Sequence, residues 1–202
     1  MNDSIFEAVV STSSADGQAN VAPLGVRYRG DEIVLMPFAP STTLDNILAT
    51  RAAVLNLSTD VRVIAGSVTG RREWPLVEVP GVPGVRNRRL ADTLRHLALE
   101  LVEASEQVQE ATRRPLLRLR VLHDVTHAPW PGFKRAQAAV LEGAVLISRL
   151  HLLPRAKVEA EMAYLQIAID KTADTAEREA WSWLVEAVRA HHAKAAAAEG
   201  GR

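Results

Sequence analysis

The sequence predicts a β-rich α+β fold, an antiparallel β-barrel followed by C-terminal helices, and three observations predict it. Two hairpin signals fall within the first 40 residues. Apolar residues alternate at period two on both sides of a turn between Leu97 and Val121. From Phe133 onward the apolar period changes to 3.6.

The first strand is expected from Ile5 to Ser11, where residues are mostly β-branched or apolar, and Asp16-Gly17 follows as a tight turn. A second strand runs from about Asn20 to Tyr28. Arg29-Gly30-Asp31 turns the chain into a third, Glu32 to Phe38, closed by proline chemistry. Ser41-Thr42-Thr43 offers hydroxyl caps to a short helix, Leu44 to Leu48, whose apolar residues 44, 47 and 48 share a face. A fourth strand, Ala53 to Ser58, comes next. The stretch Gly66 to Arg89, rich in Pro and Gly, reads as an irregular loop or a lid.

Helical propensity favours a helix over 90–110. Alternation overrides it: Leu97, Leu99 and Leu101 alternate with Ala98 and Glu100, and Leu117, Leu119 and Val121 with Arg118 and Arg120, so a long hairpin closes the barrel. Beyond it, Val140, Leu141, Ala144, Val145 and Ser148 mark a buried helix broken by Pro154. Val158, Met162, Leu165 and Ile169 line a second helix, and Trp181, Leu184, Val185 and Val188 a third. The expected organisation is a barrel over 1–130, a helical part over 131–195, and a disordered alanine-rich tail over 196–202.

Composition excludes several function classes. With no cysteine there is no disulfide, thiolate nucleophile or iron–sulfur cluster, so redox chemistry requires a bound cofactor. Lys plus Arg equals Asp plus Glu at 24 each, and the arginine pairs are scattered, so no electrostatic footprint for nucleic acid is present. Apolar stretches fall short of the ~20 residues a membrane helix needs. Met1-Asn2-Asp3-Ser4 lacks a basic leader, and a cytoplasmic location is expected.

Two segments carry candidate chemistry. In Val21-Ala22-Pro23-Leu24-Gly25-Val26 a Pro and a Gly interrupt a strand, which marks either backbone lying against a flat ligand or a bulge at a barrel corner. Ser41-Thr42-Thr43 opens a helix that reaches Asn46. Hydroxyls with free N–H groups at a helix N-terminus suit a ligand phosphate, and capping alone is the competing explanation.

Ser41-Thr42-Thr43-Leu44-Asp45-Asn46-Ile47, followed by Val54-Leu55-Asn56-Leu57, resembles the pattern of flavin-reductase-like split barrels. Asn20-Val21-Ala22-Pro23, Phe133-Lys134-Arg135-Ala136, Ala139-Val140-Leu141-Glu142 and Arg149-Leu150 narrow the likeness to the domain of unknown function 447 family. The resemblance implies a split β-barrel homodimer with FMN in a cleft shared by two subunits. It places the phosphate on Ser41, Thr42, Thr43 and Asn46 and the ring on Pro23, Leu24, Gly25 and Val26, with Asn56 and Ser58 as further contacts. It implies an FMN-dependent oxidoreductase linked to tetrahydromethanopterin-type one-carbon metabolism, or else a non-catalytic flavin- or pterin-binding protein. One departure stands out: Phe38-Ala39-Pro40 precedes the hydroxyl run where a Lys or Arg is usual. Arg27, Arg51 or a partner residue must then neutralise the phosphate.

Other motifs point nowhere specific. His123 and His127 follow a strand, where four residues span ~13 Å, too far for one metal, so no metal site is expected. His191-His192 are expected to be solvated on a frayed helix end. No Gly-rich nucleotide motif or nucleophile elbow occurs, and no catalytic residue is assigned. Arg135 and Glu142 are expected as structural ion pairs or anchors on a buried helix. Trp130 reads as a hydrophobic plug.

Overall fold

The computed structural model describes residues 4–109 and 112–200. Strand β1 (Phe6–Ser13) folds back through the Asp16-Gly17 turn onto β2 (Ala19–Arg29), and β2 turns at Gly30 into β3 (Glu32–Leu35). Helix α1 (Thr42–Thr50) leads directly into β4 (Ala52–Leu57), which pairs antiparallel with both β1 and β7 (Arg95–Gln109). β7 pairs along its length with β8 (Thr112–Thr126), and β8 returns to β3. The order β1-β2-β3-β8-β7-β4 closes into a six-stranded barrel.

Alternation decides what lies inside. Val10, Val26, Leu35, Leu55, Leu99 and Leu119 are fully buried, and Leu44 and Ile47 of α1 join the same core. The period-two pattern at 97–101 therefore prevails over helical propensity because these leucines must face one side of a closed sheet. Burying each is worth about 1.5–3 kcal/mol.

The chain divides into two compact units, Met1–Thr59 with Glu73–Trp130, and Asp60–Arg72 with Pro131–Arg202. The second unit contains α2 (Arg62–Thr69), α3 (Arg135–Ser148), α4 (Arg155–Thr172) and α5 (Thr175–Gly200). Its core holds Val61 and Ala65 together with Val140, Ala144, Ile169, Trp181 and Leu184. A single boundary after residue 130 thus leaves out 60–72, which belongs with the helices.

Several expectations are corrected here. The stretch 66–89 is neither loop nor lid throughout. Gly66–Thr69 end α2, which forms despite poor propensity because Val61, Val63 and Ala65 are buried. Farther along, β5 (Leu76–Glu78) and β6 (Arg88–Leu90) make a hairpin pinned to the barrel. Ser11 Oγ donates to the Arg88 carbonyl at 2.5 Å and Ser13 Oγ to that of Arg86 at 2.6 Å.

The buried stripe of α3 is Ala136, Ala139, Val140, Gly143, Ala144, Leu146 and Ile147, whereas Val145 and Ser148 are exposed. This stripe faces Trp181 and Leu184, so Arg135 and Glu142 lie on the exposed side and form no buried ion pair. The helix stops at Ser148, and Pro154 is the N-cap of α4 rather than the breaker of α3. Finally, 196–200 are helical within α5, not a disordered tail; residues 201–202 lie outside the described residues.

Candidate functional site

Helix α1 crosses one end of the barrel and is docked there by polar side chains as well as by Leu44 and Ile47. Thr12 on β1 and Asn20 on β2 are cross-strand partners. Asn20 Nδ2 donates to Thr43 Oγ1 at 3.0 Å, and Asn46 Nδ2 donates to Thr12 Oγ1 at 3.0 Å. Both Thr43 and Asn46 are buried in consequence. Ser41 is the N-cap, with extended backbone (φ −156°, ψ 144°), and its Oγ accepts the Leu44 N–H at 3.3 Å.

The four predicted residues of the hydroxyl run thus separate by role. Thr43 and Asn46 attach the helix to the hairpin, and Ser41 caps it. Thr42 is exposed beside its own amide and that of Thr43, which have no partner among the described residues, whereas the Leu44 N–H is taken by Ser41 Oγ and the Asp45 N–H by the Ser41 carbonyl. The acid in that first turn is Asp45.

Strand β2 supplies the adjoining surface. It pairs with β1 from Ala19 to Val26 but with β3 only from Val26 to Arg29. Among the described residues, the edge from Asn20 to Gly25 facing away from β1 has no ladder partner. The ladder with β1 runs through Pro23↔Val9 and Gly25↔Glu7 without a register shift, so the segment is not a bulge. A Cβ at Gly25 would meet Ile5 Cγ2 at 2.6 Å, so a neighbouring side chain already accounts for the glycine.

Alternation leaves only the backbone of Leu24 and Val26 to meet a ring there. Val26 is fully buried in the barrel core and Leu24 packs against it, so those side chains point away from any ligand on the outside. Pro23 and Gly25 remain on the outer face. Asn56 is corrected too. Its amide donates to Val9 O (3.2 Å), Ser11 Oγ (3.0 Å) and Val54 O (3.1 Å), its Oδ1 accepts Leu90 N–H at 2.8 Å, and it is fully buried. It bolts β4 to β1 and β6 and has no surface for a ligand. Ser58 follows β4 and is half-buried.

The two cations expected near the phosphate also separate. Arg51 is the C-cap of α1, at the opposite end from Ser41, and its guanidinium donates to the Leu101 carbonyl. Arg27 Nη1 lies 3.4 Å from Met36 Sδ. Sequence reasoning missed Arg114 of β8, whose Nη2 donates to Met36 O at 3.1 Å and whose guanidinium sits 4.7 Å above the Phe38 ring. No sequence signal links residue 114 to residue 38; the β3–β8 pairing does.

A histidine pair was missed as well. His96 Nδ1 and His127 Nε2 are 2.8 Å apart with rings stacked at 9°, and the buried His96 Nε2 has no partner among the described residues. Burial, followed by the neighbouring His127 and Arg89, holds His96 below the usual imidazole range. His127 is lowered likewise, by desolvation and then Arg89. Among the described residues no group of three or more His, Asp or Glu side chains is arranged to hold a metal.

His191 and His192, expected to be solvated, are half-buried on α5. In the same helical unit, α4 and α5 flank a groove of about 510 Å³ lined by Met162, Val185, Val188 and Arg189 among others, and none of the predicted site residues line it. No described helix is long and apolar enough to cross a membrane.

The closed barrel with α1 laid across its end and helices following in the chain is the split β-barrel of the flavin-reductase type. The chain belongs to the DUF447 family: the pattern described as "Protein of unknown function (DUF447) N-terminal domain" matches residues 6–128, and that described as "Protein of unknown function (DUF447)" matches 134–186. Among solved structures it is similar to an FMN-bound protein from Methanosarcina mazei, with 20% identity over 92% of this chain and 96% of that one (TM-score 0.76). An FMN-binding protein from Thermus thermophilus with bound p-hydroxybenzaldehyde matches with 14% identity over 65% and 78% of the two chains (TM-score 0.51). The flavin reductase HpaC complexed with NADP+ matches with 12% identity over 64% and 82% (TM-score 0.51). A comparison with curated protein sequences finds no match.

Proposed function

We propose that this chain binds FMN, with the phosphate at the N-terminus of α1 and the ring along the unpaired edge of β2 beside Pro23 and Gly25, and that it acts as an FMN-dependent oxidoreductase. The observation that carries this reading is the adjacency of two backbone surfaces without protein partners among the described residues: the Thr42 and Thr43 amides with the exposed Thr42 side chain, and the β2 edge that docks against that helix through Asn20 and Thr43. Amides at a helix start suit an anion, and a free strand edge suits the hydrogen-bonding rim of a flat heterocycle. Family membership and the FMN-bound relative support the same cofactor.

Bound FMN would supply the electron-transfer chemistry. The chain's own share is binding and orientation. Thr42 and the amides would hold the phosphate, the Thr12–Asn46 and Asn20–Thr43 bonds would keep the helix rigid beneath it, and the backbone edge at Pro23 would meet the ring, with the Ile5 side chain covering the Gly25 face beside it.

We further propose that the protein works as a homodimer. Beyond Leu101 strand β7 pairs only with β8, from the Ser105↔Leu116 pair onward neither strand has another partner among the described residues, and residues 102–107 are exposed. A two-stranded ribbon in water is marginal alone, and a second copy packed on it would cover both the ribbon and the flavin edge. The link to one-carbon metabolism rests on the family resemblance alone, and no residue of this site bears on it.

The test is the visible spectrum of the purified protein and a fluorescence titration with FMN. Tight FMN binding supports the reading, and no binding overturns it. A flavin that binds but accepts no electrons from NADH, NADPH or another donor would favour the non-catalytic binding protein. Thr42→Ala is expected to weaken FMN about tenfold while leaving riboflavin within about twofold, the size of one lost charge-assisted hydrogen bond.

A further inference from the structure

We infer that Arg114 is the cation that neutralises the ligand phosphate and so sets the preference for FMN over riboflavin, an inference that rests on the FMN reading above. The problem it solves is one of charge. A phosphate dianion at the start of α1 would face Asp45 in the first turn, with no Lys or Arg between Pro37 and Thr50. Arg51 stands at the far end of a nine-residue helix, ~13 Å away at 1.5 Å per residue, and its guanidinium is engaged with Leu101.

Arg114 differs from its neighbours on the same strand. Arg118 is spent on Glu32 (2.8 Å) and Glu103 (2.6 Å), and Arg120 on Glu100 (2.5 Å). Among the described residues Arg114 has no carboxylate partner. One of its donors goes to the Met36 carbonyl, and its plane rests on Phe38, itself 72% exposed. It is thereby held, with most of its N–H fork uncommitted, over the segment 36–40 that enters α1. An arginine held by stacking and a single carbonyl bond retains the geometry for bidentate recognition of a phosphate. Arg27, whose guanidinium reaches the Met36 side chain from β2, adds positive charge to the same segment.

The test compares FMN and riboflavin affinities by flavin fluorescence for the full-length wild type, Arg114→Gln, Arg114→Lys and Phe38→Leu, with circular dichroism to confirm folding. The expected result is a wild-type preference for FMN that Arg114→Gln reduces about 10- to 100-fold through FMN alone, the range of a charged hydrogen bond. Arg114→Lys should recover part of it, and Phe38→Leu should lose a smaller part. A preference that survives Arg114→Gln overturns the assignment and leaves the FMN reading intact. Equal losses for both flavins also overturn it, since Arg114 would then act only on the loop. A wild type that binds neither flavin overturns the FMN reading and this inference with it. Should Arg114→Gln fail to fold, a reduced but remaining preference in Arg114→Lys supports the assignment through geometry, while a fully wild-type preference in Phe38→Leu together with Arg114→Lys overturns it.

Discussion

Single residues in this barrel divide into those that hold the fold and those left over for a ligand, and hydrogen-bond accounting separates them. Asn56 has both ends of its amide satisfied in a dry place, so Asn56→Ala would orphan the Leu90 amide. Leaving such a group unpaired costs about 1–3 kcal/mol, and chemical denaturation should show a loss of that order. His96 is the opposite case, a buried ring with one nitrogen unsatisfied. Its pKa is lowered in the folded state, so the unfolded chain binds the proton more readily. Stability is then full above the unfolded value of about 6.5 and falls as pH drops below it. Urea unfolding between pH 7.5 and 5.5 should show this decline, and His96→Gln should flatten it; an unchanged slope would show that other groups cause it.

At the scale of elements, close packing sets the limits. In α3 a Cβ at Gly143 would sit 2.9 Å from Trp181 Cζ3 and 3.1 Å from Leu184 Cδ1. Trp181 cannot easily yield, because it is buried and its indole N–H donates to Gln166 at 2.6 Å. Overpacking costs about 1–3 kcal/mol while alanine regains about 1 kcal/mol of helix propensity, so Gly143→Ala should destabilise by about 0–2 kcal/mol and should not raise the melting temperature. In α1, Ser41→Ala removes the cap and should cost about 1 kcal/mol. That separates capping from ligand contact: Ser41→Ala moves stability, whereas Thr42→Ala moves FMN affinity.

For the molecule as a whole the decisive measurement is its assembly. A dimer that covers the β7–β8 ribbon should dissociate on dilution in light scattering when Val102, exposed on that ribbon, is replaced by Lys, and FMN affinity should fall with it. A variant that stays dimeric would place the interface elsewhere. How far such features could be read in advance follows from how local their causes are. The hairpins, the cap at Ser41 and the alternation of 97–101 depend on neighbours a few residues apart, and the sequence by itself determined the barrel strands, α1 and the hydroxyl run that opens it. The tertiary structure alone decided that α2 forms and joins the helical unit, that Asn56 and Val26 turn inward, that Asn20 and Thr12 anchor α1, and that Arg114 stands over Phe38. Each of these is set by pairing between strands or helices far apart in the chain, where register, not local periodicity, selects which side chains meet.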